Sequence, residues 1–131
     1  MKQEEKDLLL KDLCARLPYG VRCSFGVDDA VYEVCGINPS CCGASEIQAT
    51  PIKCGINGDV KLTSCKPYLF PMSSMTEEQK RIYNSICNMN GWDMSFCEAQ
   101  ELIDWINANH FDYRGLIEKS LALDATNLNI Y

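Results

Sequence analysis

The chain has 131 residues, of which 47% are hydrophobic and 23% are charged, and its formal net charge is −6. This length suits one domain with one modest core, and this composition excludes general disorder. The apolar runs are too short for a membrane span or for the core of a signal peptide. We therefore expect a single domain over residues 1–131, located in the cytoplasm and not associated with a membrane.

The acidic charge is concentrated in the second part of the chain. Residues 1–75 hold eight Lys or Arg against nine Asp or Glu, whereas residues 76–131 hold four against nine. Such a surface repels phosphate backbones and lacks the basic stripe of a nucleic-acid-binding protein. We therefore expect an acidic protein that does not bind nucleic acid.

Nine cysteines make the chain cysteine-rich, yet their pattern predicts neither a disulfide framework nor a metal site. Their number is odd, no Cys-x-x-Cys pair occurs, and His110 is the only histidine. Structural zinc sites need four such ligands at suitable spacing, and the adjacent thiols of Cys41 and Cys42 would be awkward partners in one tetrahedron. We expect most thiols to be reduced and buried, with no metal and no cofactor.

The first part of the chain predicts one helix followed by short strands. An amphipathic pattern over residues 3–17 indicates a helix that Pro18 and Gly20 end. Alternating apolar and polar residues predict strands over residues 20–25, 30–37, 46–55 and 59–65, with a bulge or break at Pro51. The pair Asn57-Gly58 suits a type I′ hairpin turn, because both residues tolerate positive φ.

Short antiparallel strands in such a small segment predict a tightly curled sheet. An SH3-like barrel is the architecture we favour for it, with an OB-like barrel as the alternative. The predicted fold class is α+β, in which residues 1–75 form a helix plus a small barrel. Residues 76–131 form a helical part that packs on it.

The segment Lys66–Gln79, KPYLFPMSSMTEEQ, joins the two parts. Its two prolines favour an extended backbone, and the aromatic residues between them predict packing across the sheet. Thr76 and Gln79 form a capping box, in which each side chain bonds to the other residue's amide, so a helix is expected to start there. Ser74 offers the same pairing two residues earlier.

Two or three helices are predicted after this junction. The first covers residues 76–89, and the second is opened by a capping box of Ser95 with Glu98. Asp112 can cap a last helix that carries apolar residues from Leu116 onward. We expect the tail from Thr126 to be loosely held.

Three blocks of the sequence resemble a known group of proteins. They are KDLCARLPYGV, KPYLFPMSSMTEEQ and NHFDYRGLIEKSLALDAT. Together they resemble a family of small uncharacterised proteins that is widespread in gut Bacteroidetes genomes and their phages or prophages. The resemblance implies a cytoplasmic accessory protein carried by mobile elements, and it implies no activity, ligand or catalytic residue.

A thiol enzyme is the catalytic class that the residue types bring closest. Cys97 follows a predicted helix start, where the helix dipole lowers the pKa of a thiol, and His110 with Asp112 could form the rest of a triad. However, His110 falls at the far end of the same helix, roughly 20 Å away at 1.5 Å per residue. We therefore expect no catalytic residues and no enzyme.

The polar cluster HFDYRG is the strongest candidate for a site, either as a helix connector or as a recognition surface together with nearby aromatic residues. The candidate binding residues are Tyr68, Phe70, Trp92, His110, Asp112, Tyr113 and Arg114. The favoured function is a non-enzymatic protein-interaction or accessory module with an unidentified protein partner. The alternative is a small-molecule-binding protein, a sponge or sensor with its pocket between barrel and helices.

Overall fold

The computed structural model describes residues 1–26, 30–38, 46–51, 58–87 and 96–131, and within these ranges the chain has an α+β fold. The side chains of residues 38, 46–51 and 58–60 are not described. The helices are α1 (Gln3–Arg16), α2 (Glu77–Cys87) and α3 (Phe96–Ala108). The strands are β1 (Arg22–Ser24), β2 (Tyr32–Asn38), β3 (Glu46–Pro51), β4 (Gly58–Lys61), β5 (Lys66–Pro71), β6 (Phe111–Asp112) and β7 (Leu123–Asp124).

The sheet is mixed, with β5 as the strand that joins its two parts. Strands β4, β3, β2, β1 and β5 are hydrogen-bonded neighbours in that order, and each of these pairs is antiparallel. Strand β5 also pairs in parallel with β6, where Phe70 is opposite Phe111, and with β7, where Tyr68 is opposite Leu123. Both parts of the chain therefore meet on β5.

Strands form in the predicted segments 20–25, 30–37 and 46–55, although residues 52–55 fall outside the described residues. The prediction for 59–65 is correct only up to Lys61, because Leu62–Ser64 form a 3-10 helix.

The predicted hairpin turn is wrong. Gly58 lies inside β4 opposite Ala49, so it cannot be the second residue of a two-residue turn. Asn57 lies outside the described residues. Strand β3 ends at Pro51, where a bulge or break was predicted, and the residues that follow lie outside the described ranges. A bulge that was not predicted occurs in β2 between Val34 and Gly36. In the described part of the sheet no strand pairing closes a barrel, so the SH3-like and OB-like architectures stay predictions.

The junction forms as predicted at its capping box. The Gln79 amide donates to the Thr76 hydroxyl at 3.1 Å, and the Thr76 amide donates to the Gln79 side-chain oxygen at 2.9 Å. Helix α2 begins at Glu77, while Ser74 bonds to the Pro71 carbonyl and caps no helix. The first residues of the junction, Lys66–Pro71, form β5, a strand within the sheet, and Met72–Ser74 form a 3-10 helix between it and the capping box.

The end of the chain differs from the prediction. Asp112 does cap the backbone, because its two carboxylate oxygens each accept an amide at 2.9 Å, from Leu116 and Ile117. The residues after this cap form a set of turns leading into β7, so a third C-terminal helix is absent from this described segment. The expectation of a loosely held tail is correct only in part, since residues 126–129 are exposed but the Tyr131 hydroxyl bonds to the sheet.

Two apolar clusters hold the fold together. The larger is centred on fully buried Leu9, Leu13, Val21 and Leu69 and so joins α1 to the sheet. The smaller lies under α2 and α3 and contains Met75, Ile106 and Phe111, with Phe70, Met72, Tyr83, Leu102, Trp105 and Tyr113 packed around them. Burial of apolar side chains from both parts of the chain makes these two parts interdependent.

None of the six cysteines in the described ranges forms a disulfide. Their predicted burial is correct for Cys23 and Cys65 and wrong for Cys14, Cys35 and Cys97, which are exposed. None of the helices in the described ranges is long and apolar enough to cross a membrane.

Candidate functional site

The HFDYRG segment is a connector between α3 and the turns before β7, and its backbone is held from two sides. The Phe70 amide of β5 donates to the His110 carbonyl at 2.9 Å. The Arg16 guanidinium of α1 donates to the Phe111 carbonyl at 2.6 Å. His110 itself has a φ of +60°, a left-handed conformation that few residues adopt unless the surroundings fix it.

A buried ion pair supports this connector from below. Asp12 and Arg16 are both fully buried on α1, and the Arg16 Nε donates to the Asp12 Oδ2 at 2.8 Å. The Arg114 Nε lies 3.4 Å from the other carboxylate oxygen. Burial raises the pKa of Asp12 although both guanidinium groups oppose this shift. The pair therefore needs its tight geometry, because each charge would be costly to bury alone.

Tyr113 packs close to two cations, Arg16 and Arg114. The Arg114 guanidinium carbon is 4.9 Å from the centre of the Tyr113 ring, and that of Arg16 is 5.6 Å away, both within the range of cation–π attraction. The Tyr113 hydroxyl is buried and has no hydrogen-bond partner among the described residues. The ring therefore packs close to both guanidinium groups, and its hydroxyl is enclosed by the protein.

An open groove of about 590 Å³ runs between the end of β5 and this connector. Its described lining comprises Pro71, Met72, Ser73, Tyr83, Ile106, Asp112, Tyr113, Gly115, Ile117 and Glu118. The charged residues in this set, Asp112 and Glu118, are both acidic. The Asp112 carboxylate is engaged by two amides, so Glu118, which is exposed, presents the negative charge available to a partner.

The imidazole ring of His110, also on the connector, stacks on the phenol ring of Tyr131. The two ring centres are 3.6 Å apart and the planes differ by 10°. Phe70 lies beside the stack, with its ring centre 6.0 Å from that of Tyr131. Burial, with Arg16 and Arg22 nearby, lowers the pKa of His110 to about 4, so the imidazole is neutral at physiological pH.

The structure brings most of the predicted site residues together but divides them between two places. Asp112 and Tyr113 line the groove, whereas Phe70 and His110 surround Tyr131. Arg114 belongs to the ion cluster. Two predicted residues play no such part: Tyr68 contributes its backbone carbonyl, and Trp92 lies outside the described residues.

Three residues that the sequence did not single out are central here: Asp12, Arg16 and Tyr131. The spacing of Asp12 and Arg16 by four, in phase with Leu9 and Leu13, is a signal that the sequence does contain. Tyr131 is 109 residues from Arg22, its backbone partner, and no local pattern could indicate that contact.

Comparison with protein-family models, with curated proteins and with solved structures finds no match to this chain. Function is therefore inferred from the geometry of these two places. The described residues include no group of three or more His, Cys, Asp or Glu side chains that could hold a metal ion.

Proposed function

We propose that the protein is a non-enzymatic interaction module whose groove accepts a partner segment carrying an apolar side chain flanked by Lys or Arg. The groove is the observation that carries this proposal. Its walls contain apolar side chains from Met72, Tyr83, Ile106 and Ile117, and its exposed rim carries the Glu118 carboxylate. An apolar pocket with an acidic rim is complementary to a basic amphipathic segment.

The acidic balance of residues 76–131, with four basic against nine acidic side chains, supports the same class of partner. Charge of this sign speeds the encounter with a basic segment and disfavours acidic ones. The resemblance of three sequence blocks to proteins of gut Bacteroidetes and their phages agrees with an accessory role, which we propose for a mobile element. An SH3-like closure of the sheet, or an OB-like one, would suit such a module.

Selection from a randomised displayed peptide library on the immobilised protein tests the proposal. We expect enrichment of peptides with an apolar residue next to Lys or Arg. Glu118→Lys should weaken their binding roughly tenfold, because it replaces attraction by repulsion at the rim. Glu78→Lys, which makes the same charge change at an exposed site on α2, should leave binding within about twofold. Equal binding to both variants, or no enrichment, contradicts the proposal.

A small-molecule sponge or sensor is the second candidate, and the size of the groove favours it. A volume of about 590 Å³ falls within the range of about 300–1,000 Å³ that drug-sized ligands use. The exposed Glu118 carboxylate in the groove lining would supply a polar anchor. A fragment screen by NMR that shifts the signals of Tyr83 and Ile106, in the absence of peptide enrichment, would favour this candidate.

A further inference from the structure

A gap in the hydrogen-bond ladder of β5 is filled by a phenol. Each peptide unit is planar and trans, so alternate residues of a strand direct their N–H and C=O groups to the same edge. On one edge of β5, Lys66 pairs with Ser24 of β1, and the Phe70 amide bonds to the His110 carbonyl. Tyr68 lies between Lys66 and Phe70, and its backbone N–H and C=O groups are directed to the same edge.

The Tyr131 hydroxyl takes the place of a backbone group there. It donates to the Tyr68 carbonyl at 2.8 Å and accepts from the Arg22 amide at 3.0 Å. A single hydroxyl thus bridges the two strands at the position where β1 and β5 would otherwise continue their ladder. A group that both donates and accepts is required, and a phenol meets that requirement.

The surroundings of this ring form a built aromatic site. His110, which is 8% exposed, stacks on the ring, and the Arg22 guanidinium carbon lies 5.6 Å from its centre. Phe70 lies beside it. The His110 Nδ1 is buried without a hydrogen-bond partner among the described residues, so the site holds one more polar group than Tyr131 uses.

The segment that delivers Tyr131 is held at few points. Residues 126–129 are exposed, and Leu128 has 52% of its surface in solvent. Asn127 and Asn129 have positive φ values of +63° and +50°, so the segment adopts an uncommon backbone conformation. Its hydrogen bonds to the sheet come from the Ile130 carbonyl, which accepts from the Arg22 side chain, and from the Tyr131 hydroxyl.

We propose that the gap between Arg22 and Tyr68 is a binding site for a tyrosine side chain, which residues 126–131 occupy from within the same chain and from which they can be displaced. The donor–acceptor pair of backbone groups selects the hydroxyl, and His110 with Phe70 selects the ring. This site shares no side chain with the groove lining. A displaced segment leaves a receptor for a tyrosine presented by another polypeptide.

Chemical rescue of the full chain tests this proposal, with p-cresol and the peptide Asn-Leu-Asn-Ile-Tyr as probes. We expect both to bind Tyr131→Ala and to shift the NMR signal of the Arg22 amide in a saturable manner. Toluene and the peptide ending in Phe should bind roughly tenfold more weakly, because neither can bridge the two backbone groups. Leu128→Ala, an exposed change on the same segment, should leave the site filled and bind neither probe tightly.

Equal affinity for p-cresol and toluene would overturn the proposal, since the site would then be only an apolar hole. A folded Tyr131→Ala that binds no probe would overturn it as well. If Tyr131→Ala does not fold, Tyr131→Phe replaces it, and hydrogen exchange of the Arg22 amide is measured. Faster exchange than in the unaltered protein supports the hydroxyl bridge, and unchanged exchange overturns it.

Discussion

Removal of the Asp12 carboxylate is the sharpest test of how the connector is supported. In Asp12→Ala, the Arg16 guanidinium would remain fully buried with the Phe111 carbonyl as its remaining close acceptor, 2.6 Å away. Removal of one partner from a buried ion pair lowers the free energy of unfolding by about 3–5 kcal/mol. That is a large share of the roughly 5–15 kcal/mol expected for a domain of this size.

The same change should lower the melting temperature of the protein. A chain of 131 residues has an unfolding entropy of about 275 cal/mol/K, so a loss of about 4 kcal/mol lowers the melting temperature by about 15 °C. Urea denaturation at pH 7, followed by tryptophan fluorescence, measures the free energy directly. The double variant Asp12→Leu with Arg16→Met removes both charges and keeps the volume, so it should recover most of the loss.

Arg114→Ala provides the control within the same cluster. Its side chain is 29% exposed and lies 3.4 Å from the carboxylate, so it should cost less than about 1 kcal/mol. Two outcomes would refute the reasoning. One is a cost under about 1 kcal/mol for Asp12→Ala, and the other is a double variant whose cost equals the sum of its single changes.

Three further predictions concern single side chains. The pKa of His110 is lowered to about 4 from 6.5, so the unfolded chain takes up a proton first as pH falls. The free energy of unfolding should therefore be full above pH 6.5 and fall toward pH 4 by at most about 3 kcal/mol. His110→Asn, which keeps a residue tolerant of positive φ, should remove this part of the pH dependence of urea unfolding. Phe70→Ala should lower the free energy of unfolding by about 2 kcal/mol in the same assay, which is less than for a fully buried ring because Phe70 is half-buried. A cost under about 1 kcal/mol would contradict its packing role. Thr76→Ala should cost about 1 kcal/mol, since Ser74 bonds elsewhere and cannot replace the cap, and no change in denaturation midpoint would contradict this.

Local signals in the sequence predicted those parts of the fold that local physics determines. The capping box at Thr76, the end of α1 near Pro18 and the alternation in the strands each depend on residues within one or two turns. The prediction of a turn at Gly58 was wrong because strand pairing of Gly58 with Ala49 outweighed the preference of an Asn-Gly pair for a hairpin turn. The prediction of a third C-terminal helix was wrong because Asp112 caps turns, and these turns lead into β7, which pairs with β5.

The candidate site was predictable only in part, because its geometry depends on contacts far apart in sequence. The HFDYRG block was identified as a polar cluster, either a helix connector or a recognition surface, and in the structure it follows α3 and includes β6. Its supports come from elsewhere: Arg16 is 95 residues from Phe111, and Tyr131 is 63 residues from Tyr68. Charged residues are rarely fully buried, so the amphipathic pattern of α1 did not lead to a prediction that Asp12 and Arg16 are buried.

The connector gives both proposed sites one common support, whereas residues that belong to one site alone make the two separable by experiment. Its backbone is fixed at the His110 carbonyl by β5 and at the adjacent Phe111 carbonyl by Arg16. A change at Glu118 acts on the groove alone, and a change at Tyr131 acts on the phenol site alone. Loss of the Asp12 carboxylate removes the group that orients the Arg16 guanidinium and should weaken binding at both places, because both depend on the position of these two consecutive carbonyls.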